Sequence, residues 1–214
     1  IADIIFYYNS AGGATRIAAA VVFLIWLTGC GAFAVRRTYR MWKRAKLAKH
    51  YEELAYHDQL TGLYNRTAYE EFVNGVNVEK SSCVIVMFDL NDLKKCNDVY
   101  GHEAGDNYIV LCAKMISQVF EDIGTCCRIG GDEFCVIIEE RNLPRCEKAL
   151  KELDKKVEEI NTQNREYEVH IAYGYAIFDK ELDKELSDTR SRADANMYQM
   201  KFAMKEELRQ AQEK

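Results

Sequence analysis

Proline is almost absent from this chain, with one in 214 residues, so no Pro-rich linker or collagen-like repeat is present. The 48% hydrophobic and 11% aromatic content excludes a disordered chain. Positive charge is in the minority: 29 Lys+Arg against 34 Asp+Glu leave a net −5. A general nucleic-acid binder carries a basic face, so no nucleic-acid partner is expected. The cysteines at 30, 83, 96, 112, 126, 127, 135 and 146 form no CxxC pair, and the four histidines are scattered. Zinc spacing is therefore missing, and the cysteines read as small core residues. No GxxxxGK[ST] loop, GxGxxG turn or GxSxG elbow occurs either, which removes the usual phosphate cradles and the serine-hydrolase elbow.

What is present divides the chain electrically. Residues 1–50 hold eight Lys/Arg and one Asp, whereas the remainder carries the acidic excess. Ile17 to Val35 is an uncharged run of 19 between Arg16 and Arg36, with Thr28 its one polar residue. At 1.5 Å per residue it reaches about 28 Å, the thickness of a bilayer's hydrocarbon core. A cleaved signal peptide has a shorter apolar core and a cleavage site in place of a basic block. Here Arg36, Arg37, Arg40, Lys43, Arg44, Lys46 and Lys49 follow, which predicts a single-pass inner-membrane anchor with its C-terminal side in the cytoplasm. The expected organisation is an extracytoplasmic stub at 1–16, a transmembrane helix at 17–35, a basic linker helix at 36–54 and one domain at 55–214. Because the chain begins at Ile1, the stub reads as the end of a missing N-terminal sensor region whose input is unknown. Leu47, Tyr51 and Leu54 make a short helical stripe, which suits either a parallel dimer seam or a helix lying on its own domain.

Beyond His57 the pattern mixes helices and strands. Asn65 caps a helix running to about Val76, and Val84–Phe88 is a continuous apolar run ending in Asp89-Leu90-Asn91-Asp92. Helical periodicity covers Glu103–Phe120. Thr125–Ile129 and Phe134–Ile138 read as strands joined through Gly130-Gly131-Asp132-Glu133. Leu150, Leu153, Val157 and Ile160 mark a further helix, Tyr167–Ile177 an alternating strand, and Thr189–Gln210 a closing helix. An α+β fold with a mixed or antiparallel sheet flanked by helices is expected.

Asp89 closes a buried strand, and Asp132-Glu133 sit at a hairpin tip. If those strands are neighbours, three carboxylates crowd one end of the sheet, and their repulsion calls for a cation. Carboxylates with a backbone carbonyl and water suit Mg²⁺.

The residues also carry a family likeness. Arg128-Ile129-Gly130-Gly131-Asp132-Glu133-Phe134 resembles the signature of GGDEF-domain diguanylate cyclases. His57-Asp58-Gln59-Leu60-Thr61-Gly62-Leu63-Tyr64-Asn65-Arg66 resembles the opening motif. Phe88-Asp89-Leu90, then Lys94, Asn97-Asp98, Tyr100-Gly101-His102 and Gly105-Asp106, resemble the metal and guanine segment. Ala193-Asp194-Ala195 with Met197-Tyr198 and Lys201 resembles the closing helix.

The resemblance implies a nucleotidyl-cyclase-like (ferredoxin-like) core and a homodimer that condenses two GTP into cyclic di-GMP and two pyrophosphates. Asp89, the Leu90 carbonyl, Asp132 and Glu133 are implied metal-binding groups for Mg²⁺, or Mn²⁺ in its place. Asp132 or Glu133 is the implied acceptor of the 3′-hydroxyl proton. Asn97 and Asp106 would read guanine and His102 would lie close to the substrate. Lys94, Lys201 and Lys205, with main-chain N–H groups near Asp92-Leu93, would hold phosphate.

Three positions depart from the family pattern. Asn91 stands where a second acid is common. Lys201-Phe202-Ala203-Met204-Lys205 replaces Lys-x-x-Gly-Arg-Asn, so Lys205 keeps the charge without bidentate geometry. Glu121-Asp122-Ile123-Gly124 stands where the family's inhibitory Arg-x-x-Asp is expected, so product inhibition through that site is not expected. The alternative reading is a catalytically silent GGDEF module that binds GTP or a partner protein and relays a signal.

Overall fold

The computed structural model describes residues 5–6, 12–76, 82–163 and 167–212. Residues 1–4 and 7–11 of the expected stub lie outside the described residues. Contacts divide the chain into Ile1–Glu52 and Glu53–Lys214. Helix α1, Gly13–Tyr56, is the one described helix long and apolar enough to cross a membrane. The lone polar residue of its apolar run, Ile17 to Val35, is satisfied internally, since Thr28 Oγ1 donates to the Leu24 and Ile25 carbonyls at 3.0 and 2.9 Å. Leu47, Tyr51 and Leu54 are exposed along it.

In the second unit, β1 (Cys83–Leu90), β2 (Gly124–Arg128), β3 (Glu133–Glu139) and β4 (Ile171–Ile177) form an antiparallel sheet in the order β2-β3-β1-β4. Every residue of β1 is buried, which explains its unbroken apolar sequence: it has a strand on each side and a covered surface above and below. One face packs on α4 (His102–Phe120) and α5 (Leu143–Thr162), through Val84, Val86, Phe88, Ile116, Phe120 and Leu153. The other meets α2 (Arg66–Gly75) and α6 (Leu186–Gln212) through Ile85, Met87, Tyr69, Ala193 and Met197. The expected α+β architecture is present, with the sheet antiparallel throughout.

Two elements differ from the sequence expectation. A short helix α3, Leu93–Tyr100, precedes α4. It buries Cys96 alone, too little apolar periodicity to be read from sequence. The alternating strand begins at Ile171 instead of Tyr167, because Asn161 takes over the ladder's role: its side chain accepts from the Val169 N–H and donates to the Val169 carbonyl, both at 2.8 Å. Within β4 the more deeply buried side is the one with small residues, Ala172, Gly174 and Ala176, while Tyr173, Tyr175 and Ile177 are half-buried. Helix α6 comes close enough that a Cβ on Gly174 would stand 2.1 Å from the Met197 nitrogen and 2.6 Å from the Ala193 carbonyl.

The edge strand β2 is protected by the opening loop. Tyr64 N–H donates to the Cys126 carbonyl at 3.2 Å, and Arg128 N–H donates to the Tyr64 carbonyl at 2.7 Å. The seven cysteines after Cys30 are buried and free. Burial pushes the Cys83 and Cys146 thiols up to about 11 and those of Cys126 and Cys127 up to about 12, so they act as small apolar side chains.

Candidate active site

The site lies where β1 ends beside the β2–β3 hairpin. Asp89 is paired in register with Glu133 on one side and Ala172 on the other. Directly opposed residues of an antiparallel pair project to the same face, so Asp89 and Glu133 share a face at neighbouring positions. The Leu90 N–H donates to the Asp132 carbonyl at 3.0 Å, which fixes the hairpin tip against the strand end. Asp132 and Glu133 are both half-buried. No three Asp, Glu, His or Cys residues form a compact metal-holding group among the described residues, so the expected crowding of three carboxylates takes a looser form.

A cation relieves what crowding remains. Asp89 is 6% exposed, and Lys201 from α6 brings Nζ to 2.6 Å of its Oδ1. The ammonium is close but out of hydrogen-bond alignment: this buried oxygen has a counter-charge and no hydrogen bond. A buried carboxylate oxygen free of hydrogen bonds, next to a backbone carbonyl at a strand end, is a hard-oxygen donor set. Mg²⁺ takes one or two protein carboxylates and fills its shell with water and phosphate, so these residues fit it.

The chain leaves β1 through Asp92, whose φ of 59° makes it the one non-glycine residue in the left-handed region among those described. That conformation costs roughly 1–2 kcal/mol and aims α3 away from the strand. Helix α3 then lays Asn97 across α4, where a Cβ on Gly105 would meet Asn97 Oδ1 at 1.9 Å. Only glycine leaves room for this amide. Asp106 follows on α4 and is exposed, as are His102, Lys94 and Lys205. The structure thus brings Asp89, Leu90, Asp132, Glu133 and Lys201 to one rim and joins Asn97 to the α4 turn carrying Asp106. It gives His102, Lys94 and Lys205 no fixed place beyond their helices.

Several supporting residues escaped the sequence reading. Arg128 Nη1 donates to both Asp58 carboxylate oxygens at 3.0 and 3.2 Å, and its Nη2 donates to the Gly131 carbonyl at 2.8 Å. Burial pushes the Asp58 carboxyl up, but hydrogen bonds from Thr61 and Arg128 outweigh it and hold the group below the usual carboxylate range. Both residues stand inside recognisable motifs, so the signal was there without the pairing. Tyr108 had none: its hydroxyl donates to the Asn91 carbonyl at 2.9 Å and accepts from the His170 N–H at 2.8 Å, behind the strand end. Asn91 itself is 2% exposed, with its Nδ2 directed at Met204 Sδ, 3.8 Å away, so two of the departures from the family pattern touch each other. Asp183 accepts from Arg192 Nε at 3.0 Å, Arg192 Nη2, Thr189 Oγ1 at 2.8 Å and the Asp179 N–H at 2.9 Å. Arg192 Nη2 also donates to the Ile177 carbonyl at 2.6 Å, which pins α6 to the end of β4.

Signaling protein YkoW of Bacillus subtilis is 32% identical over 176 residues, covering 79% of this chain and 22% of its own. The probable diguanylate cyclase DgcJ of Escherichia coli is 28% identical over 145 residues, covering 66% of this chain and 28% of its own. The chain therefore spans less than a third of either relative. Other matched relatives are named cyclic di-GMP phosphodiesterases. Among solved structures, the coiled coil and GGDEF domain of DgcB from Caulobacter crescentus, in complex with c-di-GMP, has a TM-score of 0.68 at 21% identity, covering 81% of this chain and 95% of that one. At that identity the likeness is one of fold. The family model of the diguanylate cyclase GGDEF domain matches residues 55–207, from the opening loop through the hairpin to α6, and the chain belongs to that family.

Proposed function

We propose that this protein is a membrane-tethered diguanylate cyclase that condenses two GTP into cyclic di-GMP as a homodimer. The observation that carries this reading is the register of Asp89 with Glu133 at the β1 end, with Lys201 on Asp89. Asp106 accepts from the guanine N1 and N2 hydrogens, which adenine lacks, and Asn97 holds the same edge. Lys94, Lys201 and Lys205, with the unpaired N–H groups that open α3, hold the triphosphate. Asp89, the Leu90 carbonyl, Asp132 and Glu133 hold Mg²⁺, or Mn²⁺ in its place. When bound, the ion supplies charge neutralisation at the α-phosphate and leaving group.

Asp132 or Glu133 accepts the proton of the 3′-hydroxyl. The freed oxygen bonds to the α-phosphorus of the partner's GTP, the bond to the β-phosphate breaks, and pyrophosphate leaves; a second, reciprocal transfer closes the ring. Each half-site therefore needs a second copy facing it. The exposed stripe Leu47, Tyr51 and Leu54 on α1 suits a parallel dimer seam. The apolar run of α1 followed by its basic block supports anchoring in the inner membrane, with the catalytic domain, residues 55–214, in the cytoplasm.

The test is product analysis of the full chain in detergent micelles with GTP and Mg²⁺. Cyclic di-GMP from the parent and none from Asp132→Ala or Glu133→Ala is the expected result. GTP binding without turnover, even at high protein concentration, would overturn the enzymatic reading in favour of a silent relay module. One observation favours that second reading: the position common for a further acid is filled by the buried amide of Asn91, tied to Met204.

A further inference from the structure

We propose that Lys201 is a resident counter-ion of Asp89, occupying the carboxylate in the nucleotide-free protein and giving it up when the divalent cation arrives. This rests on Asp89 being a metal-binding carboxylate, as read above. Asp58 and Asp183, which hold elements together, are paired with arginines through several aligned hydrogen bonds each. Arginine's rigid fork suits a permanent bond. Asp89 is paired with a lysine on a flexible four-carbon stem, at 2.6 Å and without an aligned hydrogen bond. That pair neutralises charge without fixing geometry.

Burial makes the counter-ion necessary. A carboxylate that is 6% exposed is strongly disfavoured without one. The Lys201 side chain keeps 24% of its surface exposed, against 9% for that of Asp89. The metal and the ammonium compete for that buried oxygen, because two cations at contact distance repel strongly in that setting. Entry of the metal therefore expels Lys201. The displaced ammonium remains on α6, one turn from Lys205, where the two charges share a helix face. An arriving triphosphate gives it a new partner. Metal and nucleotide binding are coupled as a result: the ion alone must evict a lysine into water, whereas with GTP the lysine is received by phosphate.

The probe is Mn²⁺ titrated into the full chain in detergent micelles without nucleotide, read by its paramagnetic resonance signal. Lys201→Met is expected to bind Mn²⁺ about tenfold more tightly than the parent, since the competing charge is gone. Lys201→Arg, which keeps a competing cation, should bind no more tightly than the parent. Adding GTP should shrink or reverse the gain of Lys201→Met. Unchanged or weaker Mn²⁺ binding by Lys201→Met overturns the exchange. If that variant does not fold, Lys201→Gln is judged by the same sign. Asp89→Asn separates the two claims. Loss of Mn²⁺ binding in Asp89→Asn together with no gain in Lys201→Met removes the counter-ion role alone. Parent-like Mn²⁺ binding by Asp89→Asn removes the metal assignment and the exchange with it.

Discussion

Arg128 and Asp58, seventy residues apart in sequence, are joined by two hydrogen bonds of 3.0 and 3.2 Å, and the same guanidinium holds the Gly131 carbonyl at the hairpin tip. The opening loop and the signature hairpin are thus one mechanical unit. With side chains only 12% and 23% exposed, the pair is shielded from water. Arg128→Ala leaves Asp58 without its charge partner and should cost about 3 kcal/mol. Arg128→Lys should recover part of that, lacking the fork. Urea unfolding midpoints at unchanged slope are the measurement, and an Arg128→Ala midpoint within error of the parent would remove the coupling.

Asp183 gives a signed pH dependence. Hydrogen bonds from Arg192, outweighing burial, lower its carboxyl from 3.8 to about 2. A group whose pKa is lower folded than unfolded stabilises the fold above its unfolded value, and loses that contribution as the proton binds. The loss therefore begins near pH 4 and is complete below about 2, amounting to about 2 kcal/mol. Denaturation midpoints recorded across this window should fall for the parent and fall less for Asp183→Asn. Equal slopes would mean that Asp183 is not held down by Arg192.

Gly174→Ala tests how α6 reaches the site. The added methyl meets helix backbone at 2.1 Å, which no rotamer can relieve. Overpacking of this kind costs about 1–3 kcal/mol, and because α6 carries Lys201 to Asp89, turnover should fall with it. A parent-like melting temperature would show that α6 stands farther from β4.

Gly105→Ala discriminates a different role. Its methyl meets the end of the Asn97 side chain, which can rotate away, so stability should change little. On the proposed role of Asn97, the amide then leaves the edge of the guanine. The KM for GTP should rise by about tenfold with the melting temperature held. An unchanged KM would take Asn97 out of recognition.

Much of the fold was legible because its strands announce themselves. The run Val84–Phe88 reads as a central strand, and β1 is indeed buried on both faces between two neighbours. The hairpin and its acids were visible for the same reason, as turn residues between apolar segments. Helix α3 was not, because eight mostly polar residues anchored by Cys96 carry too little periodicity. The start of β4 is not legible, because Asn161 satisfies Val169 from outside the sheet and sequence alternation says nothing about a distant amide. At the site, residue types were readable from motifs, whereas partnerships were not. Nothing in the order of residues says that Lys201 stands on Asp89, or that Tyr108 ties Asn91 to His170.

The distribution of thiols has a practical consequence. Seven cysteines are sealed in the folded domain, and Cys30 alone is exposed, on the apolar stretch of α1. The unaltered chain is therefore already a single-label specimen: a membrane-permeant spin or fluorescent tag would attach at one place without any cysteine being engineered out. With α1 spanning a bilayer as a homodimer, as proposed above, distances between two such tags would report the spacing of neighbouring helices, with and without nucleotide.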